Sequence, residues 1–327
     1  MKKYVAYLFV WIIYSVILIV IILVILLGCN KKNKMETVWS KKETTPLKKE
    51  FNPVNISERL TTPSQRADYL VTHYWDNFDF SDTAYVHLPE ITEQAFVGYI
   101  NIFSHTEVAK VETSITAMLN RAIKEDNTGT MFRYLLSLYK DYLYDPNSPM
   151  RNEEYYIPVT SYILESGFGD DVLKSRTSFD RSMMLRNRKG DTASDIIYTL
   201  ANGNTGRLYK LADDYTILFF YNPDCPACKE TIMQLNDSPL INGMLSSGEL
   251  AILALYPDAD IALWKEYRAS MPLSWINAYD KDQTIRNKGI YDLKAIPCLY
   301  LLDRNKKVLF KDADALTIQA YLSTLSE

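Results

Sequence analysis

The chain has 327 residues, a net charge of −4, 47% hydrophobic residues and 24 tyrosines. That length leaves room for a leader and two modest domains, and the absence of a basic excess excludes nucleic acid as an expected partner. Four cysteines and three histidines (His73, His87 and His105, all far upstream of the main cysteine pair) supply too few ligands at suitable spacing for a structural zinc site.

Met1-Lys2-Lys3 precede an apolar run over residues 4–27 that ends in Leu26-Leu27-Gly28-Cys29. A charged start, an apolar stretch and a small residue before a cysteine predict a lipoprotein signal peptide over residues 1–29, with an acylated Cys29 as the mature N-terminus on a membrane. The run would also serve as an uncleaved membrane anchor, since about 20 apolar residues span a bilayer, and Leu27 is bulkier than lipoboxes usually carry there. Either way the rest of the chain lies outside the cytoplasm, facing an oxidising compartment. Residues 30–55, rich in Lys with Pro46 and Pro53 and without a hydrophobic period, predict a flexible tether.

From residue 56 to 188 the pattern is helical. Residues 64–78 carry Ala67, Leu70, Val71, Tyr74, Trp75 and Phe78 at 3.6-residue spacing. Residues 92–103, 108–124, 130–144, 152–166 and 170–184 continue in that style, which predicts an α-helical bundle. No nucleophile–base pair or metal cluster stands out, and the histidines read as packing or surface residues. Residues 142–154 combine Asp-Pro-Asn-Ser-Pro turn chemistry with Arg151 and the acids Glu153 and Glu154. They read either as a capped turn with Arg151 paired locally or as a surface for docking a partner.

A polar, Gly-containing hinge over residues 187–195 predicts a domain boundary, with a second domain over 189–327. Strands are expected at 195–200 and 207–211 as a hairpin, then at 216–221 and 249–256. A crossover helix at 260–269 follows, and 271–280 leads into a short helix at 283–291. A strand at 298–302, a turn at 303–306, a strand at 307–311 and a helix at 314–325 close the chain. Strands alternating with helices and a closing hairpin make this part α/β.

Two segments carry chemistry. The apolar run 216–221 is broken by Asn222-Pro223-Asp224, and a helix then begins with Asp224 as the expected N-cap and Pro226 in the first turn. Cys225 and Cys228 therefore sit at the positive end of a helix, on one face, within reach of a mutual disulfide. The second segment is Ala295-Ile296-Pro297-Cys298, just before the penultimate strand.

With these residues the C-terminal part resembles the thioredoxin-fold module of Bacteroidetes periplasmic lipoproteins, of the TlpA/ResA-like branch. Residues 142–154 resemble the helical domain of unknown function that precedes the module in those proteins. The resemblance covers nearly everything from residue 56 onward and implies an α/β thioredoxin fold preceded by an all-α domain. It implies a membrane-tethered periplasmic thiol–disulfide oxidoreductase, working in the reductase or isomerase direction on protein or peptide disulfides. No cofactor or metal is expected, and electrons would arrive from an inner-membrane donor. In that scheme Cys225 attacks, Cys228 resolves the mixed disulfide, and Pro226 stiffens the turn. Ile296 and Pro297 would form a cis peptide bond against the pair, leaving a backbone edge for substrate. Asn30-Lys31-Lys32-Asn33-Lys34 lacks the acidic residues that resemble a surface-export signal in these bacteria, which favours a periplasm-facing location.

The chain also departs from the family. Asp224 stands where cytosolic thioredoxins have Trp, and Phe219 where they bury an Asp, so Asp258 or Asp260 would have to assist deprotonation of Cys228. Ala227, where strong oxidants tend to have His, argues against an oxidising role. Cys298 follows the proline where the family often has Thr. It reads as a third thiol able to trap the pair or bind a soft metal with it, or as a small buried residue at the base of a strand. The alternative function is a non-catalytic binding or scaffold lipoprotein in which Cys225–Cys228 is a structural disulfide, hard to reduce where a catalytic one is labile.

Overall fold

A computed structural model describes residues 49–325. The N-terminal part is helical: α1 (Pro63–His73), α2 (Pro89–Asn101), α3 (Val108–Glu125), α4 (Thr130–Leu143), α5 (Glu153–Glu165) and α6 (Asp171–Met184). Side-chain caps set several starts. Thr62 and Gln65 close a capping box on α1, and Asn152 and Asp170 cap α5 and α6. Aromatic residues dominate the buried interior, among them Trp75, Phe78, Phe96, Tyr99, Phe103 and Tyr139. Their rings meet edge to face, as Trp75 and Phe78 do at 5.3 Å. The helix expected over residues 64–78 stops at His73, and a tertiary contact meets the chain just beyond. Arg121 of α3 donates to the carbonyls of Trp75 at 2.6 Å and Phe78 at 2.9 Å, turning them out of the helical ladder.

The C-terminal part is a mixed sheet of β1 (Ile197–Leu200), β2 (Thr205–Arg207), β3 (Tyr215–Phe220), β4 (Leu250–Tyr256), β5 (Ile276–Tyr279), β6 (Cys298–Asp303) and β7 (Val308–Lys311). Their order is β2-β1-β5-β4-β3-β6-β7. Strand β4 pairs parallel with β3 and β5, whereas β6 pairs antiparallel with β3 and β7. Helices α7 (Pro226–Asn236), α8 (Pro239–Ser247), α9 (Ile261–Tyr267) and α11 (Ala315–Ser323) pack on one face, against Ile217, Phe219, Leu299 and Leu301. The other face, with Leu218, Phe220, Cys298 and Tyr300, is covered by Ala193, Ile196, Leu208, Tyr291 and by Ile285 of the short α10 (Thr284–Asn287). Strands β3 and β4 are buried on both faces, which is why they read as unbroken apolar runs.

Three expectations need correction. The second strand of the hairpin is Thr205–Arg207, and Leu208–Lys210 is a 3-10 turn instead of its continuation. Leu208 turns into the core as its N–H bonds Ile196 O at 2.9 Å. Gly206 lets the Tyr198 ring lie over the strand, since a Cβ there would meet that ring at 2.3 Å. Strand β5 has no clear sequence signal, because Asn277 interrupts its apolar character. Its Oδ1 is needed inside, accepting from Tyr221 at 2.7 Å and Trp264 at 3.2 Å. Helix α8 is hidden in the sequence because Asn242 and Gly243 are poor helix formers.

The segment expected to be a hinge is pinned. Asn187 is buried and donates to Ile290 O at 2.8 Å, while Gly190 and Ala193 donate to Val308 and Lys306 carbonyls, each at 2.8 Å. From Glu50 onward the helices and the sheet form one compact unit. A buried charge cluster joins them. Glu153 accepts from Lys294 at 2.5 Å and Lys311 at 2.9 Å, and Arg151 pairs with Glu153 at 3.2 Å and with Asp312. Arg151 is therefore not confined to a local pair: it reaches from the helical part to the end of β7. Arg188 closes a second bridge to Glu154.

Burial works against the Glu153 charge, but Lys311 and Lys294 outweigh it and hold its pKa down at about 2, from the usual 4.5. A carboxyl with a lower pKa folded than unfolded adds stability above its unfolded value and loses it as pH falls through its folded value. Replacing Glu153 by Gln takes a carboxylate from Lys311 and leaves Lys294 with Asp292 at 3.0 Å, and should cost about 3 kcal/mol near pH 7. The cost should shrink as pH drops from about 4.5 toward about 2, where wild type loses the same term. Urea unfolding of both proteins near about pH 7 and about pH 3 checks this. An equal difference at both values would contradict it.

Candidate active site

Strand β3 delivers the chain to the site. After Phe220, Tyr221 stays buried, and Asn222 begins a tight turn in which its Oδ1 accepts from Asp224 N at 3.0 Å. Asn222 O accepts from Cys225 N at 3.2 Å. Here the expected cap is corrected: Cys225, not Asp224, is the N-cap of α7, and Pro226 is its first residue. The Cys225 sulfur accepts the Cys228 N–H at 3.1 Å, taking the role a Ser or Asp oxygen usually fills. Asp224 is turned out to solvent.

The two thiols differ sharply. Cys225 is half-buried, while Cys228 has no exposed surface. Burial pushes the Cys228 thiol up to about 12, and its hydrogen bond with Cys225 adds to the rise, with a backbone bond from Asn222 opposing it. Cys225 Sγ lies 3.5 Å from Ile296 O, and the Ile296–Pro297 bond is cis. Thus Cys225, Cys228, Pro226, Ile296 and Pro297 are brought together at the end of the sheet.

The two carboxylates expected to assist Cys228 each have other partners. Asp258 is engaged by Arg286 at 2.5 Å and by Asn222 Nδ2 at 3.0 Å, and Asp260 caps α9 through Leu263 N at 3.0 Å. Both carboxylates point to structural duties after β4. Tyr267, at the end of α9, packs against the apolar cluster that contains Cys228. Burial pushes its phenol up, and charge on Cys228 or Cys225 would push it further. The sequence showed Tyr267 only as part of an apolar helix face, because its proximity to the thiols depends on the β4–α9 connection.

Cys298 must also be corrected as a third thiol for the pair. It pairs in register with Phe220, and side chains alternate along β6, so Cys298 shares the face of Phe220 and Tyr300 while Cys228 shares that of Phe219 and Leu299. The sheet stands between them. Burial pushes the Cys298 thiol well up, and its neighbours are Asp292 O at 3.8 Å, Asp312 and Arg151. Among the described residues no group of His, Cys, Asp and Glu is placed to hold a metal ion. Cys29 and the apolar run before it lie outside the described residues, in which no helix is long and apolar enough to cross a membrane.

Comparison with known proteins gives both halves relatives. A domain of unknown function, DUF5106, matches residues 28–187. The crystal structure of a thioredoxin-like protein from Bacteroides caccae is 43% identical, covering 84% of this chain and 99% of its own, with a TM-score of 0.80. The C-terminal domain of an uncharacterized protein from Bacteroides fragilis is 47% identical over 42% of this chain and 98% of its own, with a TM-score of 0.41. A domain of a possible thiol-disulfide isomerase from Cytophaga hutchinsonii is 25% identical over 43% of this chain and 95% of its own, at 0.39. No curated protein matches.

The burial difference predicts an order of reactivity. Limiting iodoacetamide should alkylate Cys225 first in the folded, reduced chain, with Cys228 following only as pH rises and Cys298 protected until unfolding. Mass mapping of the adducts decides; early labelling of Cys298 would contradict the face assignment.

Proposed function

This chain belongs to the thioredoxin-like proteins, and on that premise we propose that it is a thiol–disulfide oxidoreductase acting on protein or peptide disulfides through Cys225 and Cys228. The observation that carries the reading is the placement of the half-buried Cys225 sulfur at the start of α7, 3.5 Å from Ile296 O, with Cys228 buried one turn behind it. A structural disulfide has no need of an approachable sulfur beside an open backbone edge.

In the reductive direction the Cys225 thiolate attacks one sulfur of a substrate disulfide. That S–S bond breaks, a mixed disulfide forms at Cys225, and the other substrate sulfur leaves as a thiolate that takes a proton from water. Cys228 then loses its proton and attacks Cys225 Sγ. The substrate's second sulfur departs, and the pair is left oxidised, having passed two electrons to the substrate. Ile296 and Pro297 support the substrate chain during both steps. Because burial raises the Cys228 thiol, resolution is the demanding step and should accelerate with pH. The missing His between the cysteines supports the reductase or isomerase direction.

The location belongs to the same proposal. The leader ending in Gly28-Cys29 supports a lipid anchor at Cys29, a periplasm-facing position in the cell envelope, and re-reduction by a thiol donor in the inner membrane.

Blocking resolution tests the reading. Cys228→Ser, expressed in its native envelope and quenched with acid, should accumulate disulfide-linked protein adducts at Cys225 that vanish in a Cys225→Ser partner variant. Nonreducing electrophoresis with mass identification reads the result, and an absence of adducts in Cys228→Ser would remove the enzymatic reading.

A further inference from the structure

The loop that meets Cys225 has little backbone bonding to hold it. Among the described residues no N–H from 291 to 297 donates to a backbone carbonyl. Side chains hold the loop instead. Tyr291 Oη donates to Ser194 O at 2.5 Å, Cys298 Sγ to Asp292 O at 3.8 Å, and Ile296 packs against the apolar cluster that contains Cys228. Lys294, two residues before Ile296, is where the helical part reaches in. Its ammonium donates to Glu153 at 2.5 Å and to Asp292 at 3.0 Å, and it lies over the Tyr144 ring at 3.9 Å. Glu153 and Tyr144 both belong to the helical part.

We propose, resting on the oxidoreductase reading, that Lys294 is a positioning residue. Through it, Glu153 and Tyr144 of the helical part set where the Ile296–Pro297 loop stands against Cys225, and so how well the site holds a polypeptide substrate. Ile296 O lies 3.5 Å from Cys225 Sγ, so a shift of the loop is a shift of the substrate's support beside the attacking sulfur. Among the described residues neither Ala295 nor Ile296 has its N–H bonded to an acceptor, which leaves donors for an extended backbone. A peptide gains from these groups in full only when the loop is already in place, because ordering it on binding costs entropy. A small disulfide that meets only the sulfur gains nothing from the loop.

The two lysines on Glu153 differ in what else they touch. Lys311 reaches the same carboxylate at 2.9 Å, but its other contacts are the carbonyls of Met184 at 2.9 Å and Arg186 at 3.0 Å, away from the loop. Losing Lys311 loosens the cluster and leaves Lys294 with Glu153, Asp292 and Tyr144. Losing Lys294 takes away the contacts through which Glu153 and Tyr144 hold the loop. This asymmetry separates positioning from a general loss of stability.

The test uses the reduced full chain in detergent and two mixed disulfides of 5-thio-2-nitrobenzoate, one on free cysteine and one on the cysteine of an uncharged, unstructured peptide. The Cys225 thiolate attacks the cysteine sulfur of either probe, the S–S bond breaks, and thionitrobenzoate leaves as a coloured thiolate, so each rate is read directly. Lys294→Met should raise the peptide concentration for half-maximal rate about tenfold, with the maximal rate and the free-cysteine rate kept. Tyr144→Leu, a milder change in the helical part, should raise it about threefold, the size of a cation–π contact. Lys311→Met should lower the urea midpoint comparably to Lys294→Met, yet leave the peptide at its wild-type concentration dependence. Should Lys294→Met fail to fold, Tyr144→Leu against Lys311→Met decides on the same readout. Wild-type peptide saturation in the Lys294 and Tyr144 variants, or an equal rise in Lys311→Met, would overturn the proposal and leave the oxidoreductase reading intact. If neither probe reacts with wild type, the oxidoreductase reading falls and takes this inference with it.

Discussion

Glu153 carries a charge with its side chain only 11% exposed, and two lysines from distant parts of the chain have to come to it. A buried carboxylate without such partners would cost several kcal/mol or take up a proton. Satisfying this one group fixes the start of α5 against Lys294 at the edge of the Ile296–Pro297 loop and against Lys311 at the end of β7. Lys294 also lies over the Tyr144 ring at 3.9 Å, and Lys311 donates to the Met184 carbonyl at 2.9 Å, so the helical part is gripped at both ends of its final stretch. Arg151 and Asp312 extend the cluster, although burial lifts Asp312 above the usual carboxylate range despite the guanidinium beside it. The helical domain is thereby built into the rim of the cysteine site.

Sheet geometry supplies the second constraint. Alternation along β6 places Leu299 and Leu301 with the helices that carry the cysteine pair, and Cys298 and Tyr300 on the other side. A one-residue slip would exchange these sets and bring a third thiol to the pair. The register with β3 prevents it. Cys298 is therefore kept apart from the pair, as a small buried neighbour of the charge cluster.

Much of the architecture was legible in the sequence. Helical periodicity located the bundle, and the apolar runs that became β3 and β4 were plain because both faces of those strands are buried. The Cys-Pro-Ala-Cys segment and Ile296-Pro297 announced the site through residue types with narrow structural uses. The failures share a cause: tertiary partners overrode local pattern. Asn277 disguised β5 because its amide serves Tyr221 and Trp264 inside the fold. Arg121 meets the carbonyls just past the end of α1 from 46 and 43 residues away in the chain. Asp224 looked like the better cap, yet the sulfur of Cys225 holds that position. No local signal tied Arg151 to Asp312, or Glu153 to Lys294 and Lys311, since such pairs exist only once helix and sheet have docked.

The central claim is that Cys225 and Cys228 form a reversible two-electron couple. Its direct measurement is a redox titration of the full chain in glutathione and dithiothreitol buffers, with acid quenching, alkylation and mass analysis of each cysteine. The account predicts that the pair passes together between two thiols and one disulfide at a potential above about −300 mV, the level below which structural disulfides typically lie. Cys298 should remain a thiol throughout. A pair that stays oxidised in dithiothreitol, or one that exchanges with Cys298, would contradict the account.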